Sequence, residues 1–172
     1  MTPVNNLILV DPDDREIGFG EKTDVHRRGL LHRAFSVFLF DGDRVLIQQR
    51  AAGKYHSAGL WANTCCSHPR AGQGLTEAVV QRLEEECGIR GAKIREAGCF
   101  LYRASFPNGL TEYEYDHVFT GEYSGPFTPN PEEIAELRFV SLPALKQDML
   151  EHPERYAVWF FTALGIAEAG RR

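Results

Sequence analysis

The densest chemistry in the chain lies at 63–69, NTCCSHP, where two adjacent cysteines precede a histidine. In an extended segment, side chains at i and i+2 share a face. Thr64, Cys66 and His68 then point one way, and Asn63, Cys65 and Ser67 the other. Only Cys66 can act beside His68. The chain contains no C-x-x-C, so a structural zinc knuckle is disfavoured. A second constellation is LTEYEYDHV at 110–118, which puts Glu112 and Glu114 on one strand face and Tyr113 and Tyr115 on the other. Two carboxylates side by side repel unless a cation or a proton lies between them. A solvated edge strand would show the same pattern. His32, just before an apolar run, and His26, six residues earlier in an expected loop, offer further nitrogens. Three histidines and two carboxylates form an N/O set suited to Mn²⁺, Mg²⁺ or Zn²⁺. Lys22, Arg50, Lys54 and Arg82 are scattered, and residue type alone does not gather them into an anion site. Arg82 and Glu86, spaced i and i+4, fit a simple helix-surface pair as well.

The elements that must position these groups fit within one domain of 172 residues, 43% hydrophobic and 25% charged. A net charge of −5 offers no basic field for nucleic acid or an anionic membrane. No apolar run approaches the roughly 20 residues of a spanning helix, so no membrane insertion is expected. The opening MTPVNNLILVDPDD lacks the features of a secretory signal, and a cytoplasmic location is expected. Cys65, Cys66, Cys87 and Cys99 are then expected to be reduced, with Cys87 and Cys99 as buried thiols.

NLILV, REIGFG, RAFSVFLF, RVLIQQR and GLWANTCC read as strands, the third and fourth joined through DGD as a hairpin. LTEAVVQRLEEECG reads as a helix with Thr76 as N-cap and Gly88 as its stop. Val79, Val80, Leu83 and Cys87 form its apolar stripe, with Arg82, Glu85 and Glu86 on the other side. Strands near 93–103 and 110–120 flank the turn PNG. ELRFVSL leads into a helix capped by Ser141, and PERYAVWFFTALGIAEA makes the last helix. Antiparallel strands with a few helices predict an α+β fold.

Taken in order, LLHRAFSVFLF, LIQQRAAGKYHSAGLWANTCCSHP, EEECGI, YRASFPNG, TEYEYDHVF and YAVWFF resemble the type 1 isopentenyl-diphosphate isomerases, a branch of the Nudix superfamily. The combination of N-x-x-C-x-H-P with E-x-E carries most of the specificity. The resemblance implies a single Nudix-like domain over 1–172, its core from about residue 30 to about residue 165, with a mixed sheet, flanking helices, an added N-terminal strand and an added C-terminal helix. It implies that His26, His32, His68, Glu112 and Glu114 ligate one divalent cation, Mn²⁺, Mg²⁺ or Zn²⁺. Cys66 and Glu114 would be the acid/base pair, with Tyr102 supporting the acid side. Glu86 would help hold Mg²⁺ on a small allylic or homoallylic diphosphate, whose oxygens meet Lys22, Arg50, Lys54 and Arg82. Trp159 would lie over the hydrocarbon. Neither flavin nor nicotinamide is expected, and the working unit is a monomer, with a dimer as the alternative.

The chain departs from the Nudix hydrolase signature. Ser67, Gln73, Gln81 and Arg82 stand where that signature has Gly, Glu, Arg and Glu, and relatives in the isomerase branch usually carry Gly at the Ser67 position. Losing those carboxylates removes ligands for water activation and disfavours diphosphate hydrolysis. A Nudix hydrolase and a non-catalytic metal-binding module remain the competing readings.

Overall fold

The β-branched and aromatic run at 32–41 becomes the central strand of a mixed sheet, because both of its faces are apolar and both are covered. A computed structural model describes residues 6–171. Strand β3 (His32–Asp41) follows β1 (Asn6–Val10), β2 (Glu16–Glu21) and a short helix, α1 (Lys22–Arg28). After it come β4 (Arg44–Arg50), β5 (Trp61–Ala62), β6 (Cys65–Ser67) and α2 (Leu75–Cys87). The long hairpin β7 (Lys93–Ser105) and β8 (Thr111–Glu122) precedes β9 (Ile134–Ser141), α3 (Leu142–Glu151) and α4 (Phe160–Ala169). Among the described residues these strands form one nine-stranded sheet, in which β3 and β8 run parallel and the other pairings are antiparallel. The architecture is the expected α+β arrangement.

Alternation along β3 sends Phe35, Val37 and Leu39 toward Val79, Leu83 and Cys87 of α2. Phe38 and Phe40 go to the opposite face, against Leu145 of α3 and Phe160 and Leu164 of α4. Phe38 stacks on Phe160 with ring centroids 5.8 Å apart.

The sheet forks where β4 leaves β3. Leu39 still pairs with Leu46, but from Val37 back to Phe35 the partner is β6. At the fork, Thr64 Oγ1 accepts from Leu39 N at 3.0 Å and donates to Leu46 O at 2.6 Å. Asn63 Nδ2 donates to Cys65 O at 2.6 Å. These side chains replace ladder bonds, so the single strand expected over GLWANTCC is two short strands with a break at Asn63–Thr64.

Other boundaries shift for local reasons. The loop expected at His26 is a helix, capped by the Glu21 side chain at its start and by Gly29 in the left-handed region at its end. Helix α2 begins at Leu75, one residue before the expected cap Thr76, with Gly74 at the N-cap position. Its buried stripe is Ala78, Val79, Leu83, Glu86 and Cys87, whereas Val80 is exposed. Glu86 therefore belongs to the interior, not to the outer face. The final helix starts only at Phe160, because Tyr156 is extended and bridges to Trp61. Cys99 is exposed on β7, while Cys87 is buried, and the cysteines are free. No described helix is long and apolar enough to cross a membrane.

Candidate functional site

Sheet register brings the separated motifs together. Parallel pairing sets His32 beside Glu114, and β7 sets Tyr102 opposite Glu114 and Ala104 opposite Glu112. Antiparallel pairing sets Cys66 beside Ser36. Helix α1 then carries His26 over the edge of β8. His26, His32, His68, Glu112 and Glu114 converge, each offering a ligand atom within 4.8 Å of the others.

This cluster could hold a cation. His26 Nδ1 lies 2.6 Å from Lys22 O and His32 Nδ1 lies 2.8 Å from Leu30 O. Donation to a carbonyl fixes the proton on Nδ1 and turns the Nε2 lone pair inward. His32 Nε2 is buried with no hydrogen-bond partner among the described residues, and neither does a well-directed bond reach Glu112 Oε1. Buried polar atoms left this way are costly unless something else satisfies them. Burial also pushes the His68 imidazole well down, with His32 and Lys22 adding to the effect, so it is neutral and able to ligate. His68 Nε2 lies 2.8 Å from Glu114 Oε1. The residues present fit a divalent cation with N/O preference.

Beside the cluster lies the reactive face. Cys66 is in contact with the apolar group formed by Ala62, Ala157 and Trp159, together with Phe100 and Tyr102. Burial pushes the Cys66 thiol up to about 12, although Arg50, whose Nη1 is 3.6 Å from Sγ, pulls the other way. For Glu114 burial works upward too, but contacts with Glu112, His32 and Tyr102 prevail and hold the carboxyl at about 2. Tyr102 donates its hydroxyl between Glu114 Oε2 at 2.7 Å and Glu112 Oε2 at 3.0 Å. Trp159 is buried and anchored by Nε1 donating to Asn63 Oδ1 at 3.0 Å. Its ring faces Tyr102 at 6.3 Å.

The four cations that sequence could not gather line the same cavity, together with Glu86. Burial draws Lys22 and Lys54 down from the usual amine range. Arg82 Nη2 lies 2.5 Å from Glu86 Oε1 and 3.4 Å from Glu133 Oε1, and Lys54 pairs with Glu133. A concave cluster of Lys and Arg balanced by two carboxylates can take a diphosphate together with its counter-cation. Arg50 has a buried Nε without a partner among the described residues.

Every residue singled out from the sequence is thus in this site, either lining the cavity or, for His26 and His32, in the ligand cluster behind it. Three others were missed. Glu133 reaches the cavity on the segment before β9, Tyr55 puts its hydroxyl 3.4 Å from His26 Nε2, and His56 Nε2 sits 2.5 Å from Glu112 Oε1. The last two follow Lys54 directly, and only the folding of that loop over β8 reveals them. Cys65, by contrast, is fully buried toward α2, as alternation predicts. Ser67 lies in β6 and is absent from the non-glycine positions with positive φ, Asp14 and Ser57, so it needs no glycine. Two of the positions that depart from the hydrolase signature join in an amide chain: Gln73, in place of Glu, donates to Gln81 at 2.7 Å, and Gln81, in place of Arg, donates to Glu85 at 2.6 Å.

The NUDIX domain family matches residues 30–160. An isopentenyl-diphosphate Delta-isomerase of Burkholderia multivorans is 48% identical over 90% of this chain and 88% of its own length. One of Serratia proteamaculans is 46% identical, covering 92% of this chain and 88% of that protein. One of Cereibacter sphaeroides is 50% identical over 81% of this chain and 80% of its own. Among solved structures, DR0079 from Deinococcus radiodurans superposes with a TM-score of 0.70 at 18% identity, covering 86% of this chain and 90% of that one. At that identity the likeness is one of fold.

Proposed function

The chain belongs to the isopentenyl-diphosphate Delta-isomerases of the Nudix superfamily and converts isopentenyl to dimethylallyl diphosphate, and we propose that Cys66 and Glu114 exchange the protons. Moving the double bond from C3–C4 to C2–C3 adds a proton at C4 and removes one from C2. The intermediate is a tertiary carbocation, which needs a dry pocket and a π face. Trp159 supplies that face. Cys66 rests as a neutral thiol at neutral pH, from which it can give a proton; it takes one only in the thiolate form that this leaves. Tyr102 steadies Glu114 and relays hydrogen bonding to Glu112.

We further propose that His26, His32, His68, Glu112 and Glu114 hold one divalent cation, whose charge makes a proton on Glu114 more acidic. Mg²⁺ held with Glu86 accompanies the diphosphate, whose oxygens engage Lys22, Arg50, Lys54 and Arg82.

The observation that carries this reading is the shared cavity: a thiol, a carboxylate, an indole and a cationic cradle line one space, while two of the hydrolase carboxylates are replaced by Gln73 and Arg82. The test incubates purified protein and Mg²⁺ with isopentenyl diphosphate and follows the acid-labile allylic product. Cys66→Ala and Glu114→Gln each abolish its formation, and Cys65→Ala retains most of it. Near-normal turnover by Cys66→Ala would sink the proton-exchange assignment, and release of inorganic phosphate or pyrophosphate would favour hydrolysis.

A further inference from the structure

We propose that His56 is a positioning residue, donating from Nε2 to Glu112 Oε1 so that the carboxylate is held in the orientation a bound cation requires. The residue is buried, and its Nε2 lies 2.5 Å from that oxygen. The contact is short but poorly directed as a hydrogen bond. Two lone pairs at such a separation repel, so we place a proton between them, and the bond straightens once a cation draws the carboxylate into line. His26 Nε2 is also near, at 3.2 Å, but it belongs to the ligand cluster and its Nδ1 faces the Lys22 carbonyl. Once a cation takes the His26 lone pair, His56 is the remaining donor to Oε1. Its own Nδ1 meets no carbonyl; it lies 3.2 Å from Ser57 Oγ, a hydroxyl able to donate to it. That arrangement leaves the proton on Nε2, the reverse of the tautomer fixed in His26 and His32.

The ring is held on every side. It stacks on Phe106 at 4.8 Å with an interplanar angle of 19°, and it meets Trp159 edge-on at 5.9 Å. Asn108 Nδ2, in the β7–β8 turn, donates to Tyr55 O at 2.7 Å and pins the loop to that hairpin. Ser57 adopts a φ of 51°, a left-handed conformation that non-glycine residues keep only where surrounding contacts impose it. The His56 carbonyl also accepts from Arg50 Nη2 at 3.2 Å. A side-chain substitution spares that last bond, which separates the carboxylate's orientation from the binding of diphosphate.

This inference rests on the proposed cation site and is tested apart from the isomerase assignment. Metal-stripped wild type, His56→Phe, His56→Leu and His56→Gln are titrated with Mn²⁺ alone, and kcat and KM for isopentenyl diphosphate are measured at saturating metal. Phe keeps the ring stacking and Leu is a second donor-free variant, whereas Gln keeps an N–H donor. Loss of the donor is expected to weaken Mn²⁺ binding about 10- to 100-fold. It should lower kcat about tenfold or more while KM stays within about threefold. His56→Gln recovers both to within about fivefold of wild type. Folded donor-free variants that bind Mn²⁺ as wild type does would overturn the proposal, as would a His56→Gln as impaired as His56→Phe. A wild type that takes up Mn²⁺ but makes no allylic product would overturn the isomerase reading alone.

Discussion

At the scale of single residues, burial sorts four identical thiols into different chemistries. Cys65 is held protonated by its contact with Cys87 and by burial, inside the α2 core. Cys66 is pushed up to about 12 by burial in the site, and Cys99 is exposed, 3.3 Å from the Tyr115 hydroxyl. Because the thiolate is the reacting form, iodoacetamide at pH 7.5 should label Cys99 first and leave Cys66 slow. The Cys66 rate then climbs with pH, about tenfold per unit while pH stays below its ionisation. Peptide mapping by mass spectrometry reads both, and equal rates at pH 7.5 would contradict a buried, protonated Cys66. The i, i+2 spacing from Cys66 to His68 already identified which cysteine of the pair faces the site. Its protonation could not be read from spacing, because that depends on neighbours such as Arg50 that arrive from another strand.

At the scale of elements, the end of α2 decides where the phosphate-side carboxylates stand. Gly88 closes the helix at a φ of 65°, and a Cβ there would meet Thr128 O at 2.7 Å. That close approach lets Thr128 N donate to Cys87 O and Asn130 N donate to Glu86 O, each at 2.8 Å, which fastens the segment leading to Glu133. Gly88→Ala should therefore cost left-handed strain plus a backbone clash, together about 2–3 kcal/mol. The corresponding fall in Tm is about 5–10 °C for a chain of this size. Gly42→Ala in the β3–β4 turn, at a φ of 61° with open space around it, carries only the strain and should cost about 1 kcal/mol. Equal losses in a thermal melt would rule out the clash. The KM for isopentenyl diphosphate should rise in Gly88→Ala and not in Gly42→Ala. The stop at Gly88 was legible from the sequence, but its second duty was not, since Thr128 lies forty residues further along the chain.

At the scale of the whole molecule, folding brings Glu112 and Glu114 beside each other in the interior, where a bound cation would balance them. Metal binding would then support the native state through mass action, worth about 2.7 kcal/mol at a hundredfold excess over Kd. Chelation should lower Tm by about 5–10 °C. An unchanged melt after metal removal would argue against a resident cation. The pH dependence has a definite sign. Burial lowers the His26 pKa, but its contact with Glu112 outweighs this and raises it, so protons compete with the cation for the ring more strongly than for a free imidazole. Metal affinity should fall as pH drops through the histidine range and rise as pH increases, and Mn²⁺ titrations at pH 6 and pH 8 check it. The sequence by itself determined the α+β class, the cysteine that faces the site and, through ordered motifs, the candidate ligand and charge-bearing residues that the fold gathers. Periodicity and family spacing are local properties of the chain, and they survive without coordinates. Only the tertiary structure decided that His26 sits on a helix, that Glu86 is interior and that His56 reaches Glu112. Those facts depend on the parallel register of β3 with β8, on the fork at Thr64 and on a loop pinned across the sheet, all contacts between residues far apart in sequence.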